Sequence, residues 1–281
     1  MKLTKIIKQI KPSTIIFLLL SIIFIIPFYS YCETFWLKIN VIDIKDSDIP
    51  NSFAGKTIAF VSDIHHGPFL SQERVHNIVN KINSLKPDII LLGGDYVHRN
   101  VKYIKPCFKE LSALYAPSGV YAVLGNHDHW ESKQISKEEI LKAGITLIDN
   151  KAKWIYIGSD RIKIGGVGDY LEDTQNIKPT INDVKENDFV ILVSHNPDYA
   201  EEIRTNLIDL VLSGHTHGGQ VSLFGMWSPI LPSKYGQKYR YGIVETSYCK
   251  VIVTSGVGTI TPPLRFCVRP EIVLLTLKHS D

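Results

Sequence analysis

Residues 57–65, TIAFVSDIH, and residues 89–95, IILLGGD, decide the fold of this chain. In each, a short apolar run stops at side chains that can bind metal, Asp63 and His65 in the first and Asp95 in the second. Three later stretches repeat the pattern. Residues 120–124 lead into Gly125-Asn126-His127-Asp128, residues 189–193 into Ser194-His195-Asn196, and residues 210–212 into Gly214-His215-Thr216-His217. Apolar runs of this length, bounded by Gly and Asp, read as buried strands.

Helical patterns lie between them. Over residues 71–85, Val75, Ile78, Val79, Ile82 and Leu85 recur at helical spacing behind Ser71, a suitable N-cap. Ser136 with Glu139 predicts a second helix start through a capping box, and Gly144 closes that helix. Residues 154–157 and 161–164, split by Gly158-Ser159-Asp160, predict a hairpin. Strands alternating with helices, followed by a hairpin-rich half, predict an α/β sandwich with mixed sheets. Ligands of such folds sit at the carboxyl ends of strands, where the polar clusters fall.

The clusters have a shared chemistry. At the end of an extended strand, residues i and i+2 project to one side, so Asp63 and His65 can grip one cation. Asp95 follows a glycine pair, while Asn126, His195, His215 and His217 add a carbonyl and three imidazoles. Alone, an Asp-x-His is usually a capping feature and a Gly-Asp usually a turn. Five such clusters, each closing a predicted strand, are a poor fit to coincidence. A donor set of O and N without cysteine suits Mn²⁺, Fe²⁺/³⁺, Zn²⁺ or Co²⁺.

In this order, D-x-H, G-D, G-N-H-D, H and G-H-x-H resemble the motifs of the calcineurin-like metallophosphoesterases, over about residues 57–220. Gly256-Val257-Gly258, Pro262-Pro263-Leu264-Arg265 and Arg269-Pro270-Glu271-Ile272 are similar to a membrane-associated bacterial phosphodiesterase branch. The resemblance implies a four-layer α/β/β/α sandwich with two mixed sheets. It implies two divalent metal ions, one held by Asp63, His65 and His217, the other by Asn126, His195 and His215, with Asp95 bridging. It makes His127 a catalytic residue facing the substrate and Asp128 the residue that orients it. Many relatives carry a further acid soon after Gly-Asp; here Tyr96-Val97-His98 stands instead. A hydroxide between two such ions would attack phosphorus directly. His66 and His129 adjoin the motifs and are candidates to line the site, and His98 is a candidate to support the ligands from behind.

Bulk properties narrow the partners. The formal charge is +3, and Lys2, Lys5, Lys8 and Lys11 supply four positive charges, so the rest of the chain is near −1. No basic domain is present, and no nucleic acid is expected. Those lysines form a basic tail over residues 1–11, followed by an uncharged stretch over residues 12–32. Twenty-one residues at about 1.5 Å each span a hydrocarbon core of roughly 30 Å. The stretch therefore predicts one N-terminal transmembrane helix, a cleaved signal segment being the competing reading. With the lysines inside, the catalytic domain, placed at residues 50–281, falls on the extracytoplasmic side of a single-pass membrane protein. Cys249 and Cys267 are compatible with pairing or with free thiols.

The leading function is a phosphohydrolase acting on a phosphoester, mono- or diester, or a pyrophosphate, with phospholipids and nucleotide-lipids among the candidate substrates. Residues 225–242, rich in Tyr, Trp, Lys and Arg, are a candidate site rim. One alternative is the hydrolysis of the pyrophosphate of UDP-2,3-diacylglucosamine in lipid A synthesis, an activity that the resemblance brings in and that expects a cytoplasmic substrate. The other is a non-catalytic metal-binding scaffold, which would be expected to have lost ligands.

Overall fold

A computed structural model describes residues 12–280; the basic tail expected over residues 1–11 lies outside the described residues. Helix α1 spans Pro12–Glu33 with Pro27 inside it. Among the described residues, no helix is long and apolar enough to cross a membrane.

Strand β1 (Lys38–Asp46) then opens the first sheet, followed by β2 (Thr57–Val61), β3 (Ile89–Leu92), β4 (Val120–Ala122) and β5 (Thr146–Leu147). The second sheet takes β6 (Lys151–Ile157), β7 (Asp160–Gly166), β8 (Val190–Val193), β9 (Leu210–Ser213), β10 (Gly242–Glu245) and β11 (Lys250–Val253). The last strand, β12 (Glu271–His279), returns to the first sheet between β1 and β2, giving the orders β1-β12-β2-β3-β4-β5 and β10-β11-β9-β8-β7-β6. Both sheets are mixed. β2 to β5 run parallel and β12 pairs antiparallel to β2; β7, β8, β9 and β11 run parallel between antiparallel β6 and β10. The predicted hairpin is β6–β7, closing at Ile157 and Asp160. Because β1 pairs along its whole length with β12, the folded domain starts before the boundary expected at residue 50.

The two-residue period of a strand explains the layering. Ile58 and Phe60 of β2, with Ile89 and Leu91 of β3, face Ile191 and Val193 of β8 and Leu210 and Leu212 of β9 in the core between the sheets. Their neighbours Ala59, Val61, Ile90 and Leu92 point outward and are covered by helices. These are α2 (Gln72–Ser84), through Val75, Ile78, Val79 and Ile82, and α3 (Ile104–Leu111), through Ile104, Cys107, Phe108 and Leu111. Ser71 caps α2 by accepting a hydrogen bond from the Arg74 N–H at 3.3 Å.

Two expectations change. Helix α4 (Asn126–Lys142) begins at the third cluster and kinks at Ser132, whose hydroxyl accepts from the Ile135 N–H. The cap therefore sits at Ser132 and not at Ser136, which is buried inside the second half. On the second sheet, Val190, Leu192, Val211, Val251 and Val253 are covered by Tyr199, Ala200, Ile203 and Tyr239. Those side chains come from short 3₁₀ turns at Pro197–Glu202 and Gly236–Tyr239 and from the chain beside them, with α5 (Lys178–Ile181) as the one α-helix introduced after α4. The fourth layer is thin because these connections are too short to form long amphipathic helices. All four cysteines are free, Cys249 buried and Cys267 exposed.

Candidate metal centre

Five of the parallel strands, β2, β3, β4, β8 and β9, end at one edge, and each delivers a polar cluster there. Asp63 and His65 follow β2, Asp95 follows β3, Asn126 and His127 start α4 after β4, His195 follows β8, and His215 and His217 follow β9. Asp63, His65 and His217 bring one ligand atom each to within 4.8 Å of one another, as do Asp95, His195 and His215. Asn126 Oδ1 lies 3.0 Å from His215 Nδ1. The Asp95 carboxylate stands between the groups, its Oδ2 3.5 Å from His65 Nε2 and 3.3 Å from His195 Nε2. The sequence-predicted ligands are thus brought together, all of them buried.

The backbone is bent to achieve this. Asp63, His65, Asp95, His215 and His217 all have φ between 49° and 66°, the left-handed region. Each such residue costs of the order of 1 kcal/mol, and strain of this kind concentrates at functional sites. The surroundings hold it: Asp63 N–H donates to Gly94 O at 3.0 Å and His65 N–H to Asp95 O at 2.9 Å. Glycine is required where backbones meet the carboxylates, since a Cβ at Gly125 would run into Asp95 Oδ1 and one at Gly214 into Asp63 Oδ2.

The electrostatics suit cations. Burial holds the imidazoles of His65 and His217 well below their usual pKa and pushes His215 down to about 3, leaving all three neutral, the form that ligates metal. Burial also raises Asp63 to about 6. Burial opposes the ionisation of Asp95, yet the His195 charge beside it holds it well below the carboxylate range; Asp95 in turn raises His195 against its own burial. Within the protein this is an ion pair that a bound cation would replace. His195 Nδ1 donates to Gly93 O at 2.7 Å, which turns Nε2 toward Asp95. His195 Nε2 has no hydrogen-bond partner, nor do His65 Nδ1 and His217 Nδ1. His65 Nε2 and His217 Nε2 lie 3.0 Å apart, both near Asp63 Oδ1 at 3.9 and 3.4 Å. Imidazole nitrogens and a carboxylate crowded on one point fit a divalent cation of borderline hardness.

His127 is half-buried at the mouth. Its N–H donates to Asp95 Oδ1 at 2.9 Å, and its ring packs against His65, His98 and Trp130. Asp128 does not orient that ring. Its carboxylate accepts from the N–H groups of Asp95 at 2.8 Å, Tyr96 at 2.9 Å and Gly125 at 2.9 Å, so it clamps the turns after β3 and β4 together. The polar atom beside the His127 ring is His98 Nδ1, 3.4 Å from His127 Nδ1. His66 turns away, donating to Leu70 O, and His129 Nε2 lies 4.0 Å from Asp173.

Sequence reasoning gave Arg265 no role, but it braces the site. It is fully buried and donates to the carbonyls of Ser255, Gly256, Gly258 and Val268. The loop so pinned presses on the first ligand, with Gly258 N–H donating to Asp63 O at 2.7 Å. The Gly-Val-Gly and Pro-Pro-Leu-Arg stretches carry this signal, but Asp63, on which Gly258 bears, lies far earlier in the chain.

Asp128→Ala is expected to strip the acceptor from three buried N–H groups, at about 1–3 kcal/mol each. Urea unfolding of the metal-free protein should therefore show a loss of about 3 kcal/mol or more. Unchanged stability would mean that the carboxylate is not a structural clamp.

Comparison with known proteins agrees with this geometry. The calcineurin-like phosphoesterase family model matches residues 56–219, which covers every cluster named above. The chain is 31% identical to the uncharacterized metallophosphoesterase YkuE of Bacillus subtilis, over 89% of each chain. It is 31% identical to the phosphodiesterase YaeI of Escherichia coli, over 88% of this chain and 90% of that protein. Among solved structures, the NAD nucleotidase of Haemophilus influenzae superposes with a TM-score of 0.50 at 15% identity, over 72% of this chain and 50% of that one, a likeness of fold. The chain belongs to the calcineurin-like phosphoesterases and is a metal-dependent phosphoester hydrolase.

Proposed function

We propose that the chain hydrolyses phosphodiesters with two divalent metal ions, drawn from Mn²⁺, Fe²⁺/³⁺, Zn²⁺ and Co²⁺. The observation that carries this is the Asp95 carboxylate, 3.5 Å from one imidazole group and 3.3 Å from the other. Asp63, His65 and His217 would hold one ion, and Asn126, His195 and His215 the other. Bound there, two cations lower the pKa of water toward neutrality and neutralise phosphoryl oxygens. The chain's own residues do the remainder. Asp95 spaces the two groups, and the half-buried His127 stands where a leaving ester oxygen can take a proton or a hydrogen bond. Water being the nucleophile, configuration at phosphorus inverts. Likeness to a relative named as a phosphodiesterase favours diesters over monoesters.

The N-terminal segment over residues 12–32 holds this domain at a membrane, with the site on the extracytoplasmic side. In support, the stretch is uncharged and follows four lysines, and Ile23, Phe24, Ile25 and Phe28 are exposed with no domain surface over them. The substrates then available include membrane phospholipids.

Two experiments test these readings. With Mn²⁺, bis-p-nitrophenyl phosphate should be hydrolysed by the wild type. His127→Ala should lower kcat by about 10²–10⁴-fold with metal still bound, and Asp95→Asn should lose both activity and metal. Hydrolysis without metal, or full activity in both variants, would contradict the mechanism. For topology, the exposed free thiol of Cys267 should react with a membrane-impermeant maleimide in intact cells. Labelling only after lysis would place the domain in the cytoplasm.

A further inference from the structure

Beside the metal centre lies a cavity of about 270 Å³ that the hydrolytic chemistry does not need. Its lining includes His217, Val221, Ile230, Pro232, Ile260 and Pro262, so one wall belongs to a metal ligand and the rest is mainly hydrocarbon. Apart from His217, whose Nδ1 has no hydrogen-bond partner, the polar side chains of the lining are already committed. The Gln220 amide accepts from Ile260 N–H at 2.7 Å and donates to Pro262 O at 3.2 Å, and the Thr216 hydroxyl donates to Arg240 O at 2.9 Å. A polar ligand would find few free partners in this cavity; a hydrocarbon would need none.

Position links the cavity to the reaction. His217 Nε2 lies 3.4 Å from Asp63 Oδ1, inside the first ligand group. Thr261, also in the lining, accepts from Arg99, the neighbour of His98, whose ring packs on His127. At the lip, Ile230 is 77% exposed, and Phe224 and Met226 on the same loop are 87% and 73% exposed. Large apolar side chains left in the open beside an apolar cavity mark a surface built to meet hydrocarbon.

We propose that this cavity receives a hydrocarbon arm of the substrate, making the preferred substrate an amphiphilic phosphodiester whose phosphate sits at the metals. Hydrolysis itself is unchanged: the P–O bond to one ester oxygen breaks, the oxygen of water joins phosphorus, and the departing alcohol keeps the proton. The inference rests on the two-metal hydrolase reading above.

The test is a series of p-nitrophenyl alkyl phosphodiesters, methyl to octyl, hydrolysed by the full chain in one detergent at one Mn²⁺ concentration. A fully buried methylene is expected to raise kcat/KM up to about fourfold, so the rise of kcat/KM with chain length is the readout. Wild type should show a steep rise, and Ile230→Asp, a change at an exposed position, should flatten it. Ile243→Asp, also exposed but outside the cavity, should leave the rise as in wild type. Partition into micelles is common to all three proteins and drops out of the comparison. Equal slopes in wild type and Ile230→Asp, flat or steep, would overturn the inference. If no ester of the series is hydrolysed, the hydrolase reading fails and takes this one with it.

Discussion

Asp95 sets the terms on which the site is built. Its carboxylate is buried between two clusters of imidazoles, with Oδ1 held by His127 N–H and Oδ2 reaching toward His65 and His195. Burying ionised groups in this way is costly unless opposite charge stands beside them. A bound cation would supply that charge, and the protein around the site is arranged to keep the candidate ligands from relaxing apart. Asp128 ties the Asp95 turn to the start of α4, Gly125 leaves room for Asp95, and five ligand residues are held in left-handed backbone conformations.

The same constraint explains the use made of the C-terminal part of the chain. β12 inserts between β1 and β2, which brings the 255–258 loop against Asp63, and Arg265 fixes that loop through three of its carbonyls. The end of α1 reaches this brace as well. Arg265 N–H donates to Ser30 O at 2.9 Å, and Cys267 N–H donates to the Glu33 carboxylate at 2.9 Å. The N-terminal helix is therefore joined rigidly to the segment that supports the first ligand. Burial lowers the Arg265 pKa only to about 10, so its guanidinium stays charged and its donors remain available.

What was legible in the sequence follows from range. The strand runs, the Ser71 cap and the β6–β7 hairpin are local patterns, and so are the repeated polar clusters that supply the candidate ligands. For Asp128, a carboxylate next to a histidine suggests a partnership with it, whereas its partners Asp95 and Tyr96 lie more than 30 residues earlier. β1 escaped because its alternating pattern has meaning only beside β12 at the far end of the chain. Of the aromatics in the expected rim, Tyr239 is buried on Glu201 and Tyr241 bonds Glu271, whereas Trp227 and Tyr235 remain exposed. Composition could not sort packing residues from surface ones.

The central claim is that two metal ions share the Asp95 carboxylate, and Mn²⁺ loading followed by electron paramagnetic resonance tests it most directly. The account predicts two Mn²⁺ per chain with the spectrum of a spin-coupled pair, as expected for ions about 3.5–4 Å apart, and loss of the coupling in Asp95→Asn. A single Mn²⁺ per chain, or two that give only uncoupled signals in the wild type, would contradict it.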